Sequence, residues 1–164
     1  MSHQIKFSLF ILLALLFVQC SDDEIDTGGD GGEMPPAVME ETFSFSKADG
    51  ADPTVASNQD RITDNVWITR GNDGGQIYNA AEESSSDKAD SPTGTRWAVG
   101  TTEDLENLTF DTFRKTVDNK PKNNVGTNLV MELVEDEIFI NVTITQWSQG
   151  RTGGGGFAYT RTQL

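Results

Sequence analysis

The twenty residues from Asn128 to Trp147, NLVMELV-EDE-IFINVTITQW, decide the fold class. Apolar and β-branched residues fill both arms, and the polar triplet Glu135-Asp136-Glu137 divides them, which is the pattern of an antiparallel hairpin. The second arm alternates strictly. Ile138, Ile140, Val142 and Ile144 share one face, while Phe139, Asn141, Thr143, Thr145 and Trp147 share the other, as the two-residue period of a strand requires.

Outward from this hairpin the same period recurs in shorter pieces. Thr42 to Ser46 sets Phe43 and Phe45 among small polar residues, and Asn65 to Arg70 repeats the signal with Val66 and Ile68. Gln76 to Ala80 and Thr95 to Gly100 are briefer candidates between Gly, Asn, Ser and Pro. Phe157 to Thr162 reads as a closing strand behind the glycine run Gly153 to Gly156, itself read as a flexible turn rather than a ligand loop. One segment departs from the pattern: Phe110, Phe113 and Val117 recur at three- and four-residue spacing, predicting a short amphipathic helix between about Leu108 and Val117. No internal repeat is present. The expectation is a mainly β domain over residues 42–164, an antiparallel β-sandwich or barrel-like fold with one short helix.

The N-terminal quarter has another composition. From Phe7 to Val18 the only polar residue is Ser8, Lys6 precedes the run, and the chain's single cysteine, Cys20, follows it. A spanning helix needs about 20 apolar residues, so this run is too short for one and has the layout of a signal peptide. Ser21 to Glu41 then carries eight acidic residues, no basic residue, two Gly-Gly pairs and Pro35-Pro36. Such a segment lacks the apolar surface to offset ordering, and it reads as an extended acidic tether.

These features resemble a bacterial lipoprotein signal, in which the cysteine after the apolar run receives diacylglycerol and becomes the new N-terminus. The resemblance implies a signal peptide over 1–19, lipidation of Cys20 and a membrane-anchored tether over 20–41. It departs from the usual pattern at Phe17, where Leu is expected, and at Gln19, where Gly, Ala or Ser is expected. Ser21-Asp22-Asp23-Glu24 resembles the acidic tag that carries lipoproteins of Bacteroidota to the outer face of the outer membrane. The alternatives are a secretory signal with an incidental cysteine and a periplasmic lipoprotein with an acidic linker. Asn58 to Arg70 and Gly94 to Thr101 resemble a module recurring in secreted and surface proteins of that group, a likeness that carries over no functional residue.

Absences narrow the chemistry. His3 is the only histidine and Cys20 the only thiol, so the β domain has neither. Serine-histidine-acid triads, cysteine-histidine pairs and zinc sites built from Cys or His cannot be assembled from it. Its 18 acidic and 11 basic residues give a net charge near −7, with the basic ones scattered in sequence, which disfavours nucleic acid and anionic lipid surfaces as partners. A carboxylate pair for glycoside cleavage remains open, because that chemistry needs only two acids about 5–9.5 Å apart.

Two candidate sites follow. Asp49, Asp52, Asn58, Asp60 and Asp64 bring hard oxygen ligands into the first loops, which suits calcium, although ordinary turns use the same residues. Trp67 and Trp147 each fall on the polar face of their strand, where an indole among hydroxyls and amides could stack a sugar ring; coverage by a second layer would instead make them core. Trp97 reads as core. The functional expectation is a surface lipoprotein whose β domain binds a partner, with glycan as the candidate ligand. An accessory subunit of an outer-membrane complex and a carboxylate-dependent glycoside hydrolase are the rivals.

Overall fold

A computed structural model describes residues 40–164. The signal segment, Cys20 and most of the tether lie outside the described residues. Eight strands form two antiparallel sheets: β1 (Thr42–Lys47), β2 (Asp60–Arg61), β3 (Trp67–Arg70), β4 (Ile77–Asn79), β5 (Thr95–Val99), β6 (Asn128–Leu133), β7 (Ile138–Trp147) and β8 (Phe157–Thr162). The larger sheet has the order β1-β8-β7-β6-β5, and the smaller β2-β3-β4. Among the described residues no helix is long and apolar enough to cross a membrane.

The β6–β7 hairpin forms as its alternation dictates. Leu133 opposes Ile138, Met131 opposes Ile140 and Leu129 opposes Val142, so three cross-strand apolar pairs point into one core. Glu137 takes a left-handed conformation (φ 55°) to close the turn. Phe45, Phe157 and Tyr159 extend that face along the large sheet, and Val66, Ile68 and Ile77 meet it from the small one. Two sheets sharing one apolar core make a mainly β fold of the sandwich type.

The helix is shorter than its apolar spacing suggests. Asp111 exchanges backbone hydrogen bonds with Trp97 at the edge of β5 (2.8 and 2.9 Å), which keeps the chain extended through Thr112. Helix α1 therefore covers only Phe113–Thr116, and left-handed Asp118 and Asn119 follow it. Phe113 and Val117 enter the core as the spacing implies, whereas Phe110 sits on the extended segment against Phe139, 5.5 Å between rings.

One polar cluster bridges the sheets inside the sandwich. On β8, Arg161 donates Nε (2.8 Å) and Nη2 (3.0 Å) to the two carboxylate oxygens of Asp60 on β2. The Tyr159 hydroxyl donates to Asp60 Oδ2 at 2.6 Å, and the Arg161 guanidinium lies 4.5 Å from the Phe43 ring centroid. Burial and the adjacent Asp60 carboxylate hold the Tyr159 phenol well above its ordinary pKa, so it stays a donor. Burial alone would lower the Arg161 pKa; the hydrogen bonds and charge of Asp60 reverse this and raise it.

Removing one member of such a pair leaves an uncompensated buried charge. Asp60→Ala should therefore lower unfolding stability by about 3 kcal/mol or more in urea titration. A loss typical of a surface ion pair would show that the clamp is not holding the sheets.

Candidate functional site

β7 does not keep its alternation to the end. Ile144 opposes Tyr159, but the next paired residue is Gln146, opposite Ala158, so a β-bulge at Thr145 shifts the parity of the last residues. Trp147 consequently turns to the core side opposite Phe157. The expectation that Trp147 shares a face with Asn141 and Thr143 is corrected by this bulge. Its ring packs at 6.0 Å from Phe113 and 6.1 Å from Phe157, and it stays half-buried.

Arg70 covers one face of that indole, its guanidinium carbon 4.0 Å from the ring centroid. It is the last of three residues, Val66, Ile68 and Arg70, that point inward at β3, and only 2% of it is exposed. Nε donates to the Gly75 carbonyl, and Nη1 to the carbonyls of Ser148 and Gly156, each at 3.0 Å. Burial pushes its pKa down to about 10, with the Asp49 charge opposing the shift, so it remains a cation at neutral pH. Lys47, equally buried at the end of β1, donates to Asn72 Oδ1 at 2.7 Å; burial and then the Arg70 charge lower its pKa.

A cleft of about 490 Å³ opens beside Arg70 and Trp147. Arg114 reaches it from α1, and Asn119, Lys120, Lys122 and Asn123 come from the α1–β6 connection, where the 3-10 turn Pro121–Asn124 shapes the chain. Gln149 and Gly150 enter from the β7–β8 loop, and Gly75 and Gln76 from the loop before β4. Its wall thus holds four cationic side chains, four amide side chains and no carboxylate. The three ion pairs among the described residues are Lys115–Asp111, Lys120–Asp118 and Arg161–Asp60, which leaves Arg70, Arg114 and Lys122 outside any of them. Arg114 and Lys122 lean on amides instead, donating to Asn119 Oδ1 at 2.6 Å and Gln149 Oε1 at 2.7 Å. Gln76 donates through Nε2 to the carbonyls of Asp87 and Ser91, while its buried Oε1 has no partner among the described residues.

The glycine run beside the cleft is a packed joint, not a flexible turn. Gly50 N–H donates to the Gly154 carbonyl at 2.7 Å, and Gly156 N–H donates to Asp49 Oδ1 at 2.9 Å. Gly155 has φ +67°, and a Cβ there would lie 1.9 Å from the Gly71 carbonyl oxygen. Three loops therefore meet at backbone contact distance, and the carbonyl of Gly156 is thereby presented to Arg70.

Three of the four aspartates of the candidate calcium set, Asp49, Asp52 and Asp60, are held by separate partners. Hydrogen bonds from the Ser148 hydroxyl and Gly156 N–H lower the Asp49 pKa. Asp52 accepts from the N–H (2.9 Å) and hydroxyl (2.8 Å) of Thr54 in a local turn, and Asp60 is committed to Arg161 and Tyr159. Asp64 is exposed ahead of β3. Asn58, named with them, donates its amide to the Asp52 carbonyl at 2.8 Å. Among the described residues no group of three or more acidic, His or Cys side chains could hold a metal ion.

Trp67 lies in the other sheet, half-buried, with Nε1 donating to the Thr63 carbonyl at 3.1 Å and the Arg61 guanidinium 4.1 Å from its ring centroid. It borders a second cleft of about 450 Å³ with Gln59, Tyr78, Glu82 and Glu83. Glu83 is engaged there, accepting from the N–H groups of Asn79 (2.8 Å) and Thr93 (2.9 Å) and from the Ser91 hydroxyl. The two indoles thus belong to different clefts, and each carries an arginine on one ring face. Trp97 is core, 1% exposed.

Sequence reasoning named Trp147 but missed its companions. The parity of Val66 and Ile68 already aims Arg70 inward, whereas the convergence of Arg114, Lys120 and Lys122 has no local signal. Comparison with family models, curated proteins and solved structures finds no match.

If the glycine joint sets the Arg70 geometry, Gly155→Ala should cost at least about 2 kcal/mol of stability, an overpacking penalty at a left-handed position. A chemical-denaturation midpoint unchanged from the native chain would contradict that packing.

Proposed function

We propose that the chain is a lipid-anchored envelope protein, exported by residues 1–19 and tethered through Cys20, whose β domain is a binding module for glycan. The observation that carries the binding reading is the cleft beside Trp147, which gathers four of the domain's 11 basic residues and none of its 18 acidic ones. Its volume falls within the range of about 300–1,000 Å³ typical of small-ligand clefts.

Hydrogen bonding, not stacking, supports glycan as the occupant. Trp147 has Arg70 over one face and Phe113 beside it, so it supplies an apolar edge to the wall. The amides of Asn119, Asn123 and Gln149 stand on exposed loop residues, where they offer donors and acceptors to ring hydroxyls. We propose no catalytic step at this cleft. Two-carboxylate glycoside cleavage would need an acid pair, and this wall carries none. Cell-surface display rests on the acidic residues behind Cys20, and it would set the cleft against extracellular or envelope polysaccharide.

A glycan array probed with the full chain tests the binding reading. Saturable binding is expected, lost in an Asn123→Ala/Gln149→Ala variant and kept in Trp67→Ala. Loss in Trp67→Ala alone would move the site to the other cleft, and no binding to any glycan would refute the glycan reading. For the anchor, Cys20→Ala should shift the protein from the membrane pellet to the soluble fraction after carbonate washing. A variant that stays in the pellet would rule out lipidation at that thiol.

A further inference from the structure

We infer that the ligand of this cleft is a short acidic oligosaccharide, one whose carboxylate or sulfate group sits against Arg70, Arg114 and Lys122. The inference rests on the glycan reading and adds the charge and size of the ligand to it.

Charge is the first argument. Arg70 is a buried cation with no carboxylate in ion-pairing distance among the described residues, and carbonyl oxygens, an indole face and the Asp49 charge beyond that distance satisfy only part of its charge. A buried charge is costly unless it is paired, and burial pushes this guanidinium's pKa well below the usual arginine value. Nearby Lys47 adds a second buried cation, and Arg114, Lys120 and Lys122 add three on the rim. Asp118, which pairs with Lys120, is an exposed partner at 3.3 Å and screens that rim little. An anionic group entering the cleft would supply the missing counter-charge in a half-enclosed site, where charge-assisted hydrogen bonds are strongest.

Charge distribution also limits ligand length. The 18 acidic residues of the domain lie outside this wall with only seven basic ones, so the rest of the domain carries a net negative charge. A long polyanion would leave the cleft and run over like charge, whereas one acidic sugar with a few neighbours stays within it. The same contrast disfavours a flat anionic membrane and a nucleic-acid backbone, both of which need an extended basic face.

Calorimetric titration of the full chain with uronate and sulfated di- and trisaccharides, each beside its neutral parent sugar, tests the inference. At least one acidic member should bind about tenfold more tightly than its parent, the effect of one charge-assisted hydrogen bond. That preference should disappear in Arg114→Gln/Lys122→Gln, whose changes are on the rim and leave buried Arg70 in place. Equal binding of acidic and neutral sugars would overturn the inference while sparing the glycan reading. Inorganic sulfate binding as tightly as any sugar would overturn both, since the cleft would then be a simple anion site. Binding to phosphatidylglycerol vesicles that the double variant abolishes would reassign the cleft to lipid headgroups. Absence of any binding would also reject both.

Discussion

The sandwich depends on a charge that it cannot leave unpaired. Asp60 is 3% exposed and belongs to a two-residue strand, too short to hold its place through backbone pairing with β3 alone. Its carboxylate is met by a two-point contact from Arg161 and a hydroxyl from Tyr159, both on β8 of the other sheet. Apolar contact between sheets is non-directional and tolerates sliding. The Asp60 cluster is directional, and any displacement of one sheet would break two or three hydrogen bonds to a buried charge. Register between the layers is thereby tied to Asp60 on one side and to Arg161 and Tyr159 on the other.

The same construction recurs with a different outcome at the other end of the strands. Three strands end their inward-facing row on a cation: Phe45 and Lys47 on β1; Ile68 and Arg70 on β3, with Val66 just ahead of it; Phe157, Tyr159 and Arg161 on β8. Arg161 finds a carboxylate inside the sandwich, whereas Lys47 and Arg70 meet amide and carbonyl oxygens. Carbonyl dipoles solvate a cation without neutralising it, so Lys47 and Arg70 have no direct counter-ion among the described residues, and the Asp49 carboxylate acts on both from beyond ion-pairing distance. The glycine joint makes this arrangement possible, because the absence of a Cβ at Gly154, Gly155 and Gly156 lets that run approach Gly71 and the Asp49–Gly50 turn closely enough to aim those carbonyls. Structure and candidate site are therefore joined in one cluster, in which the groups that fix the loops also hold Arg70 against Trp147.

Fold and site differed in legibility for a physical reason. Alternation is a local property, and it located β1, β6, β7 and β8 and put Ile138, Ile140, Val142 and Ile144 on one face of β7; the pairing of Leu129, Met131 and Leu133 with Val142, Ile140 and Ile138 came from the structure. Strand β2 escaped notice because two residues carry no period. Helix α1 came out shorter than expected because Asp111 is drawn into an edge bridge with Trp97, a partner 14 positions away in sequence. Trp147 changed sides because a bulge adds one residue to the strand and inverts every later position, and the bulge is set by pairing with β8 rather than by the composition of β7. The Asp-rich loops resembled a ligand set only while their separate partners, Ser148, Thr54 and Arg161, were out of view.

By itself, the sequence determined the class of fold, the isoleucine and valine row of β7 and the exclusion of histidine and thiol chemistry from the β domain, since period and residue inventory need no long-range information. Tertiary structure alone decided that Asp60 is a clamp, that the glycine run is a joint, and that Arg70, Arg114, Lys120 and Lys122 share a wall with Trp147. Those outcomes join residues separated by tens of positions, and which distant charge meets which is settled only when the two sheets close on each other.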